Sequence, residues 1–101
     1  MSFVVSIETN QPVPSVLNEA QIRARVESLP NTTGFLGVKP GNPIFTLWAT
    51  EADANAYSAS VQADSDMASV LQTVQVVSLD STAFSVTDFY DLTENFPPSN
   101  N

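Results

Sequence analysis

The chain has no cysteine and no histidine among its 101 residues. The first absence excludes disulfides, thiolate nucleophiles and thiolate metal sites. The second removes the imidazole general base, the Ser-His-Asp triad and histidine ligation of haem. Positive charge is nearly missing as well: three Lys and Arg side chains stand against eleven Asp and Glu, a net charge of −8. A field of that sign repels phosphate backbones and anionic lipid surfaces, so neither nucleic acid nor a membrane is an expected partner. The acids are scattered rather than blocked together, and scattered acids serve solubility. Only 14% of the residues are charged, against the usual quarter. So bland a surface on so small a chain is explained if a partner covers part of it. No stretch is long and apolar enough for a membrane span, and Met1 to Ile7 lacks the basic region of a secretory signal, so the expected location is cytoplasmic.

What is present reads as one α+β domain over residues 1–92, with 93–101 as a C-terminal tail carrying Pro97-Pro98. Phe3 to Glu8 alternates as a strand, with Phe3, Val5 and Ile7 on one face and Val4, Ser6 and Glu8 on the other. A first helix spans Ser15 to Leu29, capped either by Ser15 or by Asn18 with Gln21 reaching back; Ile22, Val26 and Leu29 form its apolar stripe, and Arg23 and Arg25 are surface charges. Pro30 stops it, and Asn31-Thr32-Thr33 turns the chain into a second strand, Gly34 to Val38. After a turn dense in Gly and Pro, Ile44 to Ala49 forms a third strand that is apolar on both faces, Ile44 and Trp48 pointing one way and Phe45 and Leu47 the other. Helices cover one of those faces, and a partner subunit is expected on the other.

Thr50 and Asp53 then start a second, alanine-rich helix. A third helical piece from Asp64 or Ser65 is expected on the spacing of Met67, Val70, Leu71 and Val74, although Val74-Gln75-Val76-Val77 reads equally as extended. Ala83 to Leu92 reads as the last strand, with Phe84, Val86, Asp88, Tyr90 and Leu92 on one parity. The order is that of a ferredoxin-like split βαβ domain with a four-stranded antiparallel sheet.

The run from Phe45-Thr46-Leu47-Trp48 through Ala49-Thr50-Glu51-Ala52 to Tyr57 and Ser60, with Pro30-Asn31-Thr32-Thr33-Gly34-Phe35 before it, resembles the antibiotic-biosynthesis monooxygenase family of the dimeric α/β barrel superfamily. The likeness covers most of residues 3 to 92 and lies in a strand ending in tryptophan, a short polar turn and a helix with a bulky residue. It implies a homodimer whose sheets press together as a barrel, and a small apolar or aromatic ligand. It also implies oxygenation without metal or organic cofactor, which needs a dry pocket, a group to take or orient a proton, and oxyanion donors. Trp48 matches the family's strand tryptophan, and Tyr57 stands where other members carry a helical aromatic or a histidine. Ser6 or Glu8 falls near the place of an active asparagine. The haem-ligating histidine of some members has no counterpart, which counts against haem cleavage.

Three residues are thus candidates for catalysis. Trp48 would wall the pocket. Tyr57 would supply a hydroxyl. Asp88 would act as a general base if the last strand turns it inward, where desolvation would raise its pKa. The competing reading is a non-enzymatic dimeric module that binds a small ligand or a protein, favoured by the scarcity of ionisable groups suited to catalysis. In that reading Trp48 and Tyr57 are core residues and Asp88 is solvated.

Overall fold

The computed structural model describes residues 2–11 and 17–90. They fold as an α+β layer with the chain order β1 (Phe3–Thr9), α1 (Glu19–Ser28), β2 (Phe35–Lys39), β3 (Ile44–Trp48), α2 (Glu51–Gln62) and β4 (Leu71–Ser78). The four strands lie in the order β2-β3-β1-β4, every neighbouring pair antiparallel. This arrangement is compatible with the ferredoxin-like split βαβ fold.

Local chemistry sets both helix starts. Asn18 wins over Ser15, which lies outside the described residues: its side-chain oxygen accepts from the Gln21 amide at 2.8 Å, and the Gln21 side chain accepts from the Asn18 amide at 2.8 Å. At α2 the Asp53 amide donates to Thr50 Oγ1 at 3.1 Å, with Glu51 and Asp53 at the positive end of the dipole. Pro30 carries α1 into a 3₁₀ turn, Leu29–Asn31, which ends it.

Two expectations fail here, and for related reasons. The expected third helix is a series of tight turns over 64–70, followed by β4. The Asp64 carboxylate accepts from the Asp66 amide at 3.0 Å, and Met67, Val70 and Leu71 close short backbone bonds. The helical spacing of Met67 and Val70 records one turn that aims both side chains at Leu17 and Ile22. Beyond it, three valines in four residues favour extension, and β1 offers a free edge to pair with. Residues 71–78 therefore take the place assigned to Ala83–Leu92, whose described residues, 83–90, form no strand. Its described part, after a 3₁₀ turn at Leu79–Ser81, crosses the sheet as an irregular strap, including a second 3₁₀ turn at Val86–Asp88. The strap starts beside β1, where the Leu79 amide donates to the Ser2 carbonyl at 2.9 Å. It ends on the far edge, where Val38 and Tyr90 exchange backbone bonds of 2.9 and 2.8 Å. Leu92 and the tail 93–101 lie outside the described residues.

β3 is sandwiched as its sequence demands. On the helix face, Val5, Ile7 and Trp48 pack with Leu29 and Ala54. On the other face, Val4 and Leu47 are wholly buried, but the cover is the chain's own strap: Phe89 packs on them, with Leu79 and Phe84 beside it. Phe84 meets Phe45 and Phe89 edge-on, with ring centroids 4.8 and 5.9 Å apart, and the Lys39 ammonium lies 5.4 Å from its ring centre. The rest of this face is polar: Ser6 and Glu8 of β1 stand opposite Gln75 and Thr73 of β4. The greasy side for which a partner subunit was expected is thus short, and residues 79–90 fill it.

The strap lies so close to β2 that a side chain at Gly37 has nowhere to go. A Cβ there would stand 2.7 Å from Phe89 Cβ and 3.2 Å from the Tyr90 carbonyl oxygen. Gly37→Ala should therefore cost about 1–3 kcal/mol through overpacking, whereas Leu36→Ala, at a position 42% exposed, should cost under ~1 kcal/mol. Urea unfolding followed by circular dichroism measures both. Equal costs would mean that the strap does not rest on the sheet as described.

Candidate functional site

α2 presses on the sheet, burying Ala54 and Ser58, but α1 contributes no buried residue. Its apolar stripe, Ile22 and Val26, is only half-buried, because the helix roofs a cavity of about 240 Å³ instead of closing on the strands. The space is a cleft open on one side, concave and mostly apolar as small-molecule sites are. Ile7 and Ile44 form its floor, Ile22, Val26 and Leu29 its roof, and Tyr57 and Val61 of α2 one wall, with Leu17 and Met67 beside them.

The polar groups on this lining are nearly all committed to the chain itself. Thr9 Oγ1 donates to the Gln11 carbonyl at 2.6 Å, Ser28 Oγ to the Arg25 carbonyl at 2.8 Å, and Ser60 Oγ to the Tyr57 carbonyl at 2.8 Å. The Asn42 amide pairs with both backbone groups of Thr9 at 3.1 Å, which ties the β2–β3 loop to the end of β1. Arg25 donates to both Asp64 oxygens, at 2.9 and 3.0 Å, to Asp66 at 2.9 Å and to the Gln21 carbonyl at 3.1 Å. This fork bolts α1 to the turn after α2. Among the described residues no hydrogen bond holds the Tyr57 hydroxyl, and no buried polar side-chain atom lacks a partner, so that hydroxyl opens onto reachable space.

The electrostatics agree with these roles. Burial, with a smaller contribution from the negative Asp64, pushes the Tyr57 hydroxyl up to about 12, so it is a proton donor and not a phenolate throughout the physiological range. The hydrogen bonds from Arg25 hold the Asp64 carboxyl below the usual carboxylate range against a modest opposing effect of burial, and the same pairing raises the guanidinium.

Of the three candidate catalytic residues, only Tyr57 reaches the cavity. Trp48 is wholly buried behind it, stacked on the tyrosine ring with centroids 4.8 Å apart, met edge-on by Phe35 at 5.6 Å, and donating its indole N–H to Thr46 Oγ1 at 2.8 Å. It fixes the plane of Tyr57 without lining the cavity. Asp88 lies on the strap, across the sheet from the cavity. It is exposed, and its carboxylate accepts from the Ser85 amide at 2.8 Å as the cap of a 3₁₀ turn. The inward strand position that would have made it a base does not exist. Ser6 and Glu8 share the strap side of the sheet. Arg23 is a surface charge, 3.5 Å from Glu19, but Arg25 is not. No spacing rule links Arg25 to Asp64, which lies 39 residues away, so this clamp has no sequence signature.

Among the described residues no helix is long and apolar enough to cross a membrane, and no group of three or more carboxylates is placed to hold a metal ion. No protein-family model, curated protein or solved structure matches the chain.

The depressed Asp64 pKa carries a stability signature. Its contribution is present above the ordinary carboxylate pKa of about 3.9 and is lost as pH falls through the lower folded value. Arg25→Met should cost on the order of 1 kcal/mol at pH 7, since the pair is partly exposed. It should also flatten the fall in the urea midpoint between neutral pH and about pH 3. An unchanged acid slope in Arg25→Met would remove the clamp from the account. At the alkaline end the raised Tyr57 pKa makes stability fall from about pH 10 upward, where the unfolded chain ionises and the folded one does not.

Proposed function

We propose that the chain is a binding module for a small, uncharged, largely apolar molecule bearing one hydrogen-bond acceptor, held beneath α1. The observation that carries this reading is the Tyr57 hydroxyl: a protonated donor, fixed in plane by Trp48, left uncommitted on the wall of an apolar cavity. Anions are disfavoured because the chain is strongly acidic and the Arg25 guanidinium is already saturated by carboxylates, and a cation would have to leave water for a mostly apolar lining. At an interior packing density of about 0.75 the space takes roughly ten to twelve non-hydrogen atoms. Bound apolar groups would bury Ile22 and Val26, which the folded chain leaves half-covered.

The resemblance to antibiotic-biosynthesis monooxygenases would add cofactor-free oxygenation of an aromatic substrate in this cavity. That chemistry starts with removal of a substrate proton. Asp64 is the one carboxylate on the lining, and its pairing with Arg25 makes it a weak acceptor. Binding therefore stands ahead of catalysis here. The homodimeric barrel implied by the same resemblance would need the strap 79–90 lifted from Val4 and Leu47, and it forms no part of this proposal.

1-Indanone, an aromatic ketone of the right size, tests the reading by titration followed in ¹H–¹⁵N spectra. Shifts should appear at Ile22, Val26 and Tyr57 and not at Phe84 or Phe89. Tyr57→Phe should weaken 1-indanone about three- to tenfold, the worth of one hydrogen bond, and leave indane, which has no carbonyl, unaffected. Shifts confined to the strap, or none at millimolar ligand, would defeat the proposal.

A further inference from the structure

We infer that β4 is an open docking edge whose occupant is the β4 strand of a second copy, paired antiparallel about a two-fold axis through Gln75. The inference is independent of the ligand cavity. It starts from a difference between the two edges of the sheet. The outer edge of β2 is guarded: Tyr90 pairs with Val38, Lys39 brings a charge, and Pro40 ends the strand. Positive charge, proline and a covering segment are the devices that keep edges from pairing. Among the described residues the outer edge of β4 has none of them. Leu71–Ser78 is the longest strand of the sheet, it pairs only with β1 among the described strands, and it carries no charged residue and no proline. Such an edge presents a row of free backbone donors and acceptors.

The side chains of β4 are unfinished in the same sense. Val74 and Val76 belong to the core on the helix face, and Val77 to the one under the strap, yet none of the eight residues is fully buried. One more strand alongside would cover them on both faces.

Charge and register select a second copy as that strand. In a chain of net charge −8, any interface that includes acids would set like charges together, and β4 offers eight neutral residues in a row. Antiparallel neighbours must place side chains of one face opposite each other, so a two-fold axis must pass through a residue, not between two. With Gln75 on the axis, Val74 faces the partner's Val76 on the helix side, and Val76 faces the partner's Val74. On the strap side Gln75 faces the partner's Gln75, and Thr73 faces the partner's Val77. β-branched pairs and matched amides are favourable cross-strand neighbours. The two sheets would then continue as one of eight strands, with each strap and each cavity undisturbed.

Because the chain has no cysteine, a single introduced one can pair only with another copy. Gln75→Cys should give a disulfide dimer on mild oxidation, whereas Thr87→Cys, on the exposed strap, should not. Sedimentation of the unaltered chain at about 0.1 mM should show a dimer, with an apparent Kd at or below that concentration. Gln75→Lys should weaken the dimer by about fivefold or more, because two like charges then face each other on the axis. This variant takes the net charge from −8 to −7, so general repulsion between copies cannot explain such a loss, and unchanged circular dichroism would show that it folds. A monomer at 0.1 mM overturns the inference. So does a dimer that Gln75→Lys leaves intact, or one that cross-links at position 87 in preference to 75.

Discussion

Two consecutive residues near the middle of the sheet, Leu47 and Trp48, are both wholly buried, and they point in opposite directions. A strand with that requirement fixes most of the architecture around it, because a single-layer sheet must then be covered twice. Trp48 is met by α2 through Tyr57 and Ala54. Leu47 cannot be reached by either helix, since both connections that contain helices return on the Trp48 side. The segment after β4 supplies the second cover, and Phe89 is the residue that does so. Gly37 follows from the same demand: the strap can approach the backbone of β2 only where no side chain intervenes. The polar half of that face, around Ser6, Glu8 and Gln75, needs no such cover.

The cavity is a consequence of how the other cover is divided. α2 is rich in alanine, packs close and takes most of the helix face, while Trp48 and Tyr57 together form a thick aromatic block beneath it. α1 has to clear that block and is held instead by the Arg25 fork to Asp64 and Asp66 and by buried Leu29 just past its end. A helix fastened by its edges over half-buried isoleucine and valine gains little from the hydrophobic effect. It is therefore the element of the fold with most to gain from an apolar occupant and the least to lose by moving.

Much of this was legible in the residues. Period-two alternation placed β1, two-sided apolarity placed β3, and the Thr50 cap fixed the start of α2, whereas for α1 the residues left Ser15 and Asn18 as competing caps. What was not legible lay after α2, where two periodicities coincide. Met67, Val70, Leu71 and Val74 satisfy a helical spacing, but only the first two act together, as one turn; the others belong to a strand whose existence depends on a vacant edge of β1. Once that edge was assigned to Ala83–Leu92, Asp88 looked inward-facing. The aromatic positions that in fact point inward there, Phe84 and Phe89, are five apart and obey no strand parity. Of the candidate site, Tyr57 was visible as a bulky residue on a small-sided helix, whereas the Arg25–Asp64 clamp is a tertiary contact that no local pattern encodes.

The two faces of the sheet also divide the labour between specificity and attachment. On the helix side, among the described residues, the Tyr57 hydroxyl faces a largely apolar cavity with no partner from the chain, and a protonated donor so placed favours a ligand that offers it an acceptor. On the strap side, Val4 and Leu47 are covered from within the chain by Phe89, and the apolar area left at the surface is scattered over single residues such as Val86 and Tyr90. Backbone is also open to contact, at the β4 edge, which among the described residues lacks charge, proline and cover. An acidic protein with few basic side chains cannot readily build interfaces from ion pairs. Main-chain hydrogen bonding along a neutral strand avoids that limitation, since it depends on geometry and not on the sign of the surface.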